Sequence, residues 1–182
     1  MSDKERVNFE DLHYDWKRSL HDLAGKIHTV AFCAEEIQEG NLNYKRLYQN
    51  LNNGVDELFE MINSQNLYVK GLESASSIQD TVDLAILRFK LRHWKKRSLI
   101  DFNVEVLGDS CYCAWQMRGL SEVLTSLLEN LNEKKSLVEI RCAKGKEEIS
   151  VISSVNLSLL LDKENWAKDY RVDYQFKDEL NG

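Results

Sequence analysis

The sequence predicts an α+β protein: an antiparallel helical hairpin that dimerises into a four-helix bundle, followed by a small α/β sandwich. Three observations carry this prediction. Apolar residues recur at spacings of three and four through residues 16–62, the chain has no proline, and after Ser74-Ala75-Ser76-Ser77 the pattern breaks into shorter helical and alternating runs.

The first helix is expected from Asn8 or Asp11 to Glu39. Leu20, Leu23, Ile27, Val30, Ala34 and Ile37 form one seam, His13 and Trp16 continue it backwards, and Gly40-Asn41 supplies a stop. The second is expected from about Asn43 to Ser74, with a seam of Tyr44, Tyr48, Leu51, Val55, Leu58 and Ile62 widened by Leu47 and Phe59. Gly54 and Gly71 interrupt it at a modest cost. Two long helices joined by a few residues must be antiparallel neighbours. A lone hairpin would expose much of this apolar surface, so a two-fold dimer of hairpins is the economical solution.

Ser74–Ser77 reads as a linker, which gives expected domains of 1–74 and 75–182. Beyond it, Asp80 and Asp83 mark a helix start, with Leu84, Ile86, Leu87, Phe89, Leu91 and Trp94 carrying the helix to about Arg97. Phe102, Val104 and Val106 alternate with polar residues as a strand closing at Gly108-Asp109. A helix from about Tyr112 to Asn132 follows, burying Leu120, Val123, Leu124, Leu127, Leu128 and Leu131. Val138, Ile140 and Cys142 then pair with Ile149, Val151 and Ser153 through a Lys144-Gly145-Lys146 turn. A helix near Asp162–Lys168 and a strand through Val172, Tyr174 and Phe176 complete a mixed sheet with helices on one side.

Composition narrows the function. The chain has 182 residues, 43% of them hydrophobic, and a net charge of −6. This acidity argues against nucleic-acid binding, which demands a basic surface. No segment is apolar for long enough to span a membrane, and the amino terminus lacks a signal-peptide core. A cytoplasmic location and protein partners are expected. The four cysteines (Cys33, Cys111, Cys113, Cys142) match neither a disulfide framework nor paired zinc spacing, and read as packed thiols.

His21 falls just off the first seam, with Asp22 beside it. An imidazole on a stiff helix, with a carboxylate to orient or take a ring proton, suits acceptance of a phosphoryl group on nitrogen. Folding the hairpin about Gly40 brings His21 level with Met61, so the surface around Lys17, Asp22, Lys26, Thr29, Met61 and Gln65 is the expected docking face. Lys17 and Lys26, about one turn to either side, are placed to offset phosphate charge. His28 is the leading alternative acceptor. His13 lies in the seam, and His93 with Trp94, Trp115 and Trp166 reads as part of the second domain's packing.

The run Leu20-His21-Asp22-Leu23-Ala24-Gly25-Lys26-Ile27 resembles the phospho-accepting H-box of bacterial two-component histidine kinases, with His21 at the acceptor position. It departs from the family at Lys26, where proline is common, and at Gly25. The resemblance covers roughly Asp15 to Ser154. Leu120–Asn132 resembles the asparagine-bearing N-box of the kinase ATP-binding domain, but only Asn130 falls on a usual asparagine position and Ser126 takes the other.

After that hairpin the family has an aspartate and glycines that hold adenine; here Ile149-Ser-Val-Ile-Ser-Ser154 leads to no Asp-x-Gly-x-Gly, and only Gly182 follows Gly145. An ATP-dependent autokinase is therefore not expected, and Asn130 reads as a structural remnant. A kept acceptor histidine without a nucleotide site is similar to the bacterial histidine phosphotransferases with a kinase-like core, the group that serves sporulation and cell-cycle phosphorelays. The resemblance implies a homodimer that takes a phosphoryl group on His21 from one response-regulator aspartate and passes it to another. It implies no metal or cofactor of its own, magnesium being supplied by the partner receiver domain. The alternative is an adaptor or inhibitor of kinase-like shape that binds a histidine kinase or response regulator through the bundle without carrying phosphate.

Overall fold

The computed structural model describes residues 9–40, 43–131, 135–155 and 170–177. They form a mixed α+β structure of four α-helices, one 3-10 helix and a four-stranded mixed sheet. The chain divides into one unit of Val7–Lys70 and another beginning at Gly71.

The first unit is built on α1 (Phe9–Gln38) and on α2 (Tyr44–Ser74) as far as Lys70. Proline-free, strongly amphipathic sequence runs through both. α1 ends where Gly40 takes a φ of 81°, a left-handed conformation that glycine reaches without strain. The helices touch at Val30 and Gly54, and at an ion pair between Lys26 and Glu57. These contacts step in opposite chain directions. A β-carbon on Gly54 would lie 2.9 Å from Val30 Cγ2, so the glycine sets the closeness of approach.

Each helix carries two rows of side chains, one residue apart. On α2, Gly54, Met61 and Tyr68 are buried and Leu47, a heptad earlier, is half-buried; this is the row that meets Val30. The next row, Tyr48, Val55, Ile62 and Val69, leaves Ile62 45% exposed. On α1, Ser19 and Cys33 are buried with half-buried Lys26 between them, whereas Leu20 and Ile27 are 45% and 52% exposed. The seam expected from sequence thus divides in two: Leu23, Val30 and Ile37 turn partly inward, while Leu20 and Ile27 remain open. Spacings of three and four satisfy either row.

The second unit opens with α3 (Ile78–Arg92), followed by a 3-10 helix (Trp94–Leu99), β1 (Ile100–Val106), α4 (Ala114–Glu129), β2 (Ser136–Cys142), β3 (Ile149–Ser153) and β4 (Val172–Phe176). The sheet order is β1-β2-β3-β4, with β1 and β2 parallel, β2 and β3 antiparallel, and β3 and β4 parallel. Val138, Ile140, Ile149, Val151 and Val172 bury one sheet face with Phe89, Leu120, Leu124 and Leu127. Between strands β2 and β3, Gly145 turns the chain at a φ of 71°. The tail helix expected near Asp162–Lys168 lies outside the described residues.

Ser74–Ser77 is tied into the second unit. A β-carbon on Gly71, the first residue of that unit, would lie 2.6 Å from Leu84 Cδ2, so this end of α2 packs with α3 within it. Ile78 N–H donates to Ser110 O (2.8 Å), and Tyr112 N–H donates to Ser76 O (2.9 Å). Ser77 caps α3 in a capping box: its Oγ accepts from Asp80 N–H (3.2 Å), and Asp80 Oδ2 accepts from Ser77 N–H (2.8 Å). The helix therefore starts earlier than Asp80. It also ends at Arg92, where tighter 3-10 turns take over.

The Ser76 N–H, and then the Ser77 hydroxyl and N–H, hold the Asp80 carboxyl below its ordinary value of 3.8. Its stabilising contribution is complete above pH 3.8 and is lost as the pH falls through the lowered folded-state value. Thermal melts of Asp80→Ala should show a loss at neutral pH that shrinks on acidification below that point. Ser77→Ala should cost about 1 kcal/mol.

Candidate functional site

Helical periodicity of about 100° per residue fixes the direction of each α1 side chain. Taking Leu20 in the open apolar row as zero, Ser19, Lys26 and Val30 point to the α2 side, about 80° to 120° one way round. His21 points about 100° the other way. It therefore stands outside both rows, and its side chain is 87% exposed.

His21 Nδ1 lies 3.4 Å from Asp22 Oδ1, within reach but long for a hydrogen bond. Asp22 is 30% exposed, so the carboxylate sits nearer the packed side and the ring projects beyond it. Among the described residues Nε2 has no protein partner. Such an imidazole presents one nitrogen to solvent while the other faces a proton-accepting carboxylate. No elaborate pocket is required, because phosphoryl transfer to nitrogen needs chiefly an open line of attack and charge neutralisation.

The expected docking face is redrawn by the structure. Met61 is 2% exposed and shares the inward row of Gly54 and Tyr68, so it does not belong to an open surface. Lys26 is only 24% exposed and is engaged with Glu57, because its position shares the buried row of Ser19 and Cys33. Gln65 is half-buried. Lys17 and Thr29 are exposed, the Thr29 hydroxyl donating to Gly25 O at 3.0 Å. His28 is exposed on the His21 side but is followed by Thr29 rather than a carboxylate. His21, Gly25, His28 and Phe32, spaced four, three and four apart, form one exposed row.

In the second unit, Asn130 caps the end of α4 and its Nδ2 donates to Ser126 O at 2.7 Å. Its amide closes a helix end. Residues 156–169, where a nucleotide lid would follow in a kinase, lie outside the described residues. A cavity of about 500 Å³ opens at the other end of α4, lined by Cys111, Cys113, Trp115, Gln116, Glu147 and Arg171. Gln116 Nε2 donates to Glu147 O (2.6 Å) and Arg171 O (3.0 Å), tying its floor to two loops.

Cys33 and Cys142 are buried thiols as expected, whereas Cys111 is exposed and Cys113 half-buried. Trp94 is buried under the Arg97 guanidinium, 3.6 Å from the ring centre. His93 packs on Phe89 and lies 3.0 Å from Thr125 Oγ1. Trp115 is half-buried at the cavity rather than in the core, and Trp166 lies outside the described residues.

No protein-family model matches the chain, and comparison with curated proteins finds no match. The site therefore stands on its own geometry. Sequence reasoning missed Glu57 as the partner of Lys26, since that pairing depends on the register between two helices. It also missed Phe32, which an apolar stretch of Val30-Ala31-Phe32-Cys33 disguises as core.

A β-carbon on Gly25 would meet nothing within 4 Å. Gly25→Ala should therefore stabilise α1 by about 0.5–1 kcal/mol, read as a raised midpoint in denaturant titration. Lys26→Ala, by contrast, removes a half-exposed ion pair and should cost no more than about 1 kcal/mol.

Proposed function

We propose that this protein is a histidine phosphotransferase of a two-component phosphorelay, accepting a phosphoryl group on His21 from a response-regulator aspartate and passing it to another. The observation that carries the reading is His21 itself: a highly exposed imidazole beside Asp22, on a long helix, outside both rows that packing would use.

In the forward step the His21 Nε2 lone pair attacks phosphorus of the receiver's aspartyl phosphate. The P–N bond forms as the P–O bond to the aspartate breaks, leaving a free carboxylate on the receiver. Nδ1 keeps its proton during attack, and Asp22 shares the positive charge that develops on the ring. The second transfer reverses these bonds with another receiver. Lys17, exposed about one turn before His21, is placed to soften charge repulsion, whereas Lys26 is held by Glu57. Magnesium belongs to the receiver domain, and no cofactor of this chain's own enters the step. ATP-dependent autophosphorylation is not part of the reading.

The scaffold in this proposal is an antiparallel hairpin paired with a second copy. Support comes from the open row of Leu20, Ile27, Tyr48 and Ile62, which a four-helix bundle would bury. A cytoplasmic setting belongs to the same reading, and no described helix is long and apolar enough to cross a membrane. The second reading, a kinase-like adaptor that binds a histidine kinase or receiver without carrying phosphate, draws on the engagement of Lys26 by Glu57, which removes a cation from the acceptor's surroundings.

Radiolabelled phospho-receiver domains, with ATP as a parallel donor, separate the two. Acid-labile label on wild-type protein, none on His21→Ala and none from ATP is expected. Tight receiver or kinase binding that survives His21→Ala, with no label on wild type, would instead establish the adaptor.

A further inference from the structure

The cavity at the amino-terminal end of α4 lies within the second unit and takes no part in the chemistry proposed at His21. Its volume of about 500 Å³ suits a small molecule. Two sets of polar groups at its wall lack protein partners, and together they define what it would hold.

The first set is the opening turn of α4. A helix begins with N–H groups that have no acceptor within it, and a capping side chain ordinarily supplies one. Here Cys113 occupies the N-cap and makes no side-chain capping bond, and the first turn holds no acidic residue. Met117 N–H donates to Cys113 O at 3.0 Å. The N–H groups ahead of it, those of Ala114, Trp115 and Gln116, have no acceptor among the described residues, although Ala114 and Gln116 are buried.

The second is the oxygen of Gln116. Both N–H groups of its amide are used, on Glu147 O and Arg171 O, and this fixes which end of the amide is the oxygen. Gln116 is 3% exposed and lines the cavity. Its Oε1 accepts from no described residue and is not sealed within protein, so the open side of that oxygen is the cavity. A carbonyl oxygen withdrawn from bulk water without a donor costs free energy. It needs a donor, where the helix end needs an acceptor.

Charge decides what kind of molecule supplies both. The charged side chains lining the cavity are Asp109, Glu147 and Arg171; Arg171 is paired with Glu147, its guanidinium 5.8 Å from the centre of the Trp115 ring. An inorganic anion would satisfy the helix end but would face two carboxylates and leave Gln116 Oε1 without a donor. A simple cation would answer the oxygen and the carboxylates and leave the N–H groups bare. A zwitterion meets both demands at once.

We infer that this cavity binds a free α-amino acid with an apolar side chain. Its carboxylate accepts from the first turn of α4, its ammonium donates to Gln116 Oε1 beside the Asp109 and Glu147 carboxylates, and its side chain lies on the half-buried Trp115 indole. The second unit is then a small-molecule-binding module in its own right, and the inference does not depend on His21.

Titration calorimetry of the full-length chain tests it with L-phenylalanine and L-leucine. Each is paired with its N-acetyl derivative, which lacks the ammonium, and with the amine left by removing its carboxylate. One or both amino acids should bind saturably at one site per chain, and the corresponding derivatives about tenfold more weakly or worse, since each forgoes a hydrogen bond to a charged group. The bound amino acid should also slow alkylation of exposed Cys111, at the cavity wall, by iodoacetamide, read by mass spectrometry. Trp115→Ala, or Glu147→Ala at an exposed position if the first fails to fold, should weaken binding by a similar factor. Absence of saturable binding by both amino acids, a derivative that binds as tightly as its parent, or binding that leaves Cys111 alkylation unchanged would each overturn the assignment.

Discussion

The first unit depends on an offset of one residue. Gly54, Met61 and Tyr68 pack inward, and Tyr48, Val55, Ile62 and Val69 form a neighbouring row that is exposed or half-buried among the described residues. α1 repeats the arrangement with Ser19 and Cys33 on one side and Leu20 and Ile27 on the other. A helix with two adjacent apolar rows has places for two neighbours, and among the described residues only one of the two rows is packed. The hydrophobic effect favours covering the second row, because each large side chain left in water forgoes about 1.5–3 kcal/mol of transfer free energy.

That constraint also determines what is left over. In the dimer proposed above, one row faces the other helix, the second faces a second copy, and the remaining arc of α1 faces water. His21 lies on that arc with Gly25, His28 and Phe32. The proposed chemistry then follows from position rather than from a pocket. Asp22 sits on the packed side of the ring and Nε2 on the open side, so one nitrogen is oriented and the other available. A stiff helical support keeps that nitrogen where an incoming phosphorus can be aligned with it.

Much of this fold was legible in the sequence, and the exceptions are physical. Helix bounds followed from Gly40 and the absence of proline, and the strands from alternation at Phe102–Val106 and Val138–Cys142. The capping box at Ser77 was read one turn late, because Asp80 serves the cap from within the helix. The division of the seam was not legible, since three-and-four spacing fits two rows one residue apart equally well. Met61 and Lys26 were assigned to the surface for the same reason. His21 and Asp22 were legible because they fall off the seam. Phe32 was hidden among apolar neighbours.

The uncovered row is the claim on which the scaffold rests, and its most direct test is the mass of the protein in solution. Sedimentation equilibrium of wild type should give a dimer, and Ile27→Glu combined with Ile62→Glu should give a folded monomer of unchanged helical content. A wild-type monomer across the micromolar range, or a dimer indifferent to both charges, would contradict the assignment of that row to a second copy.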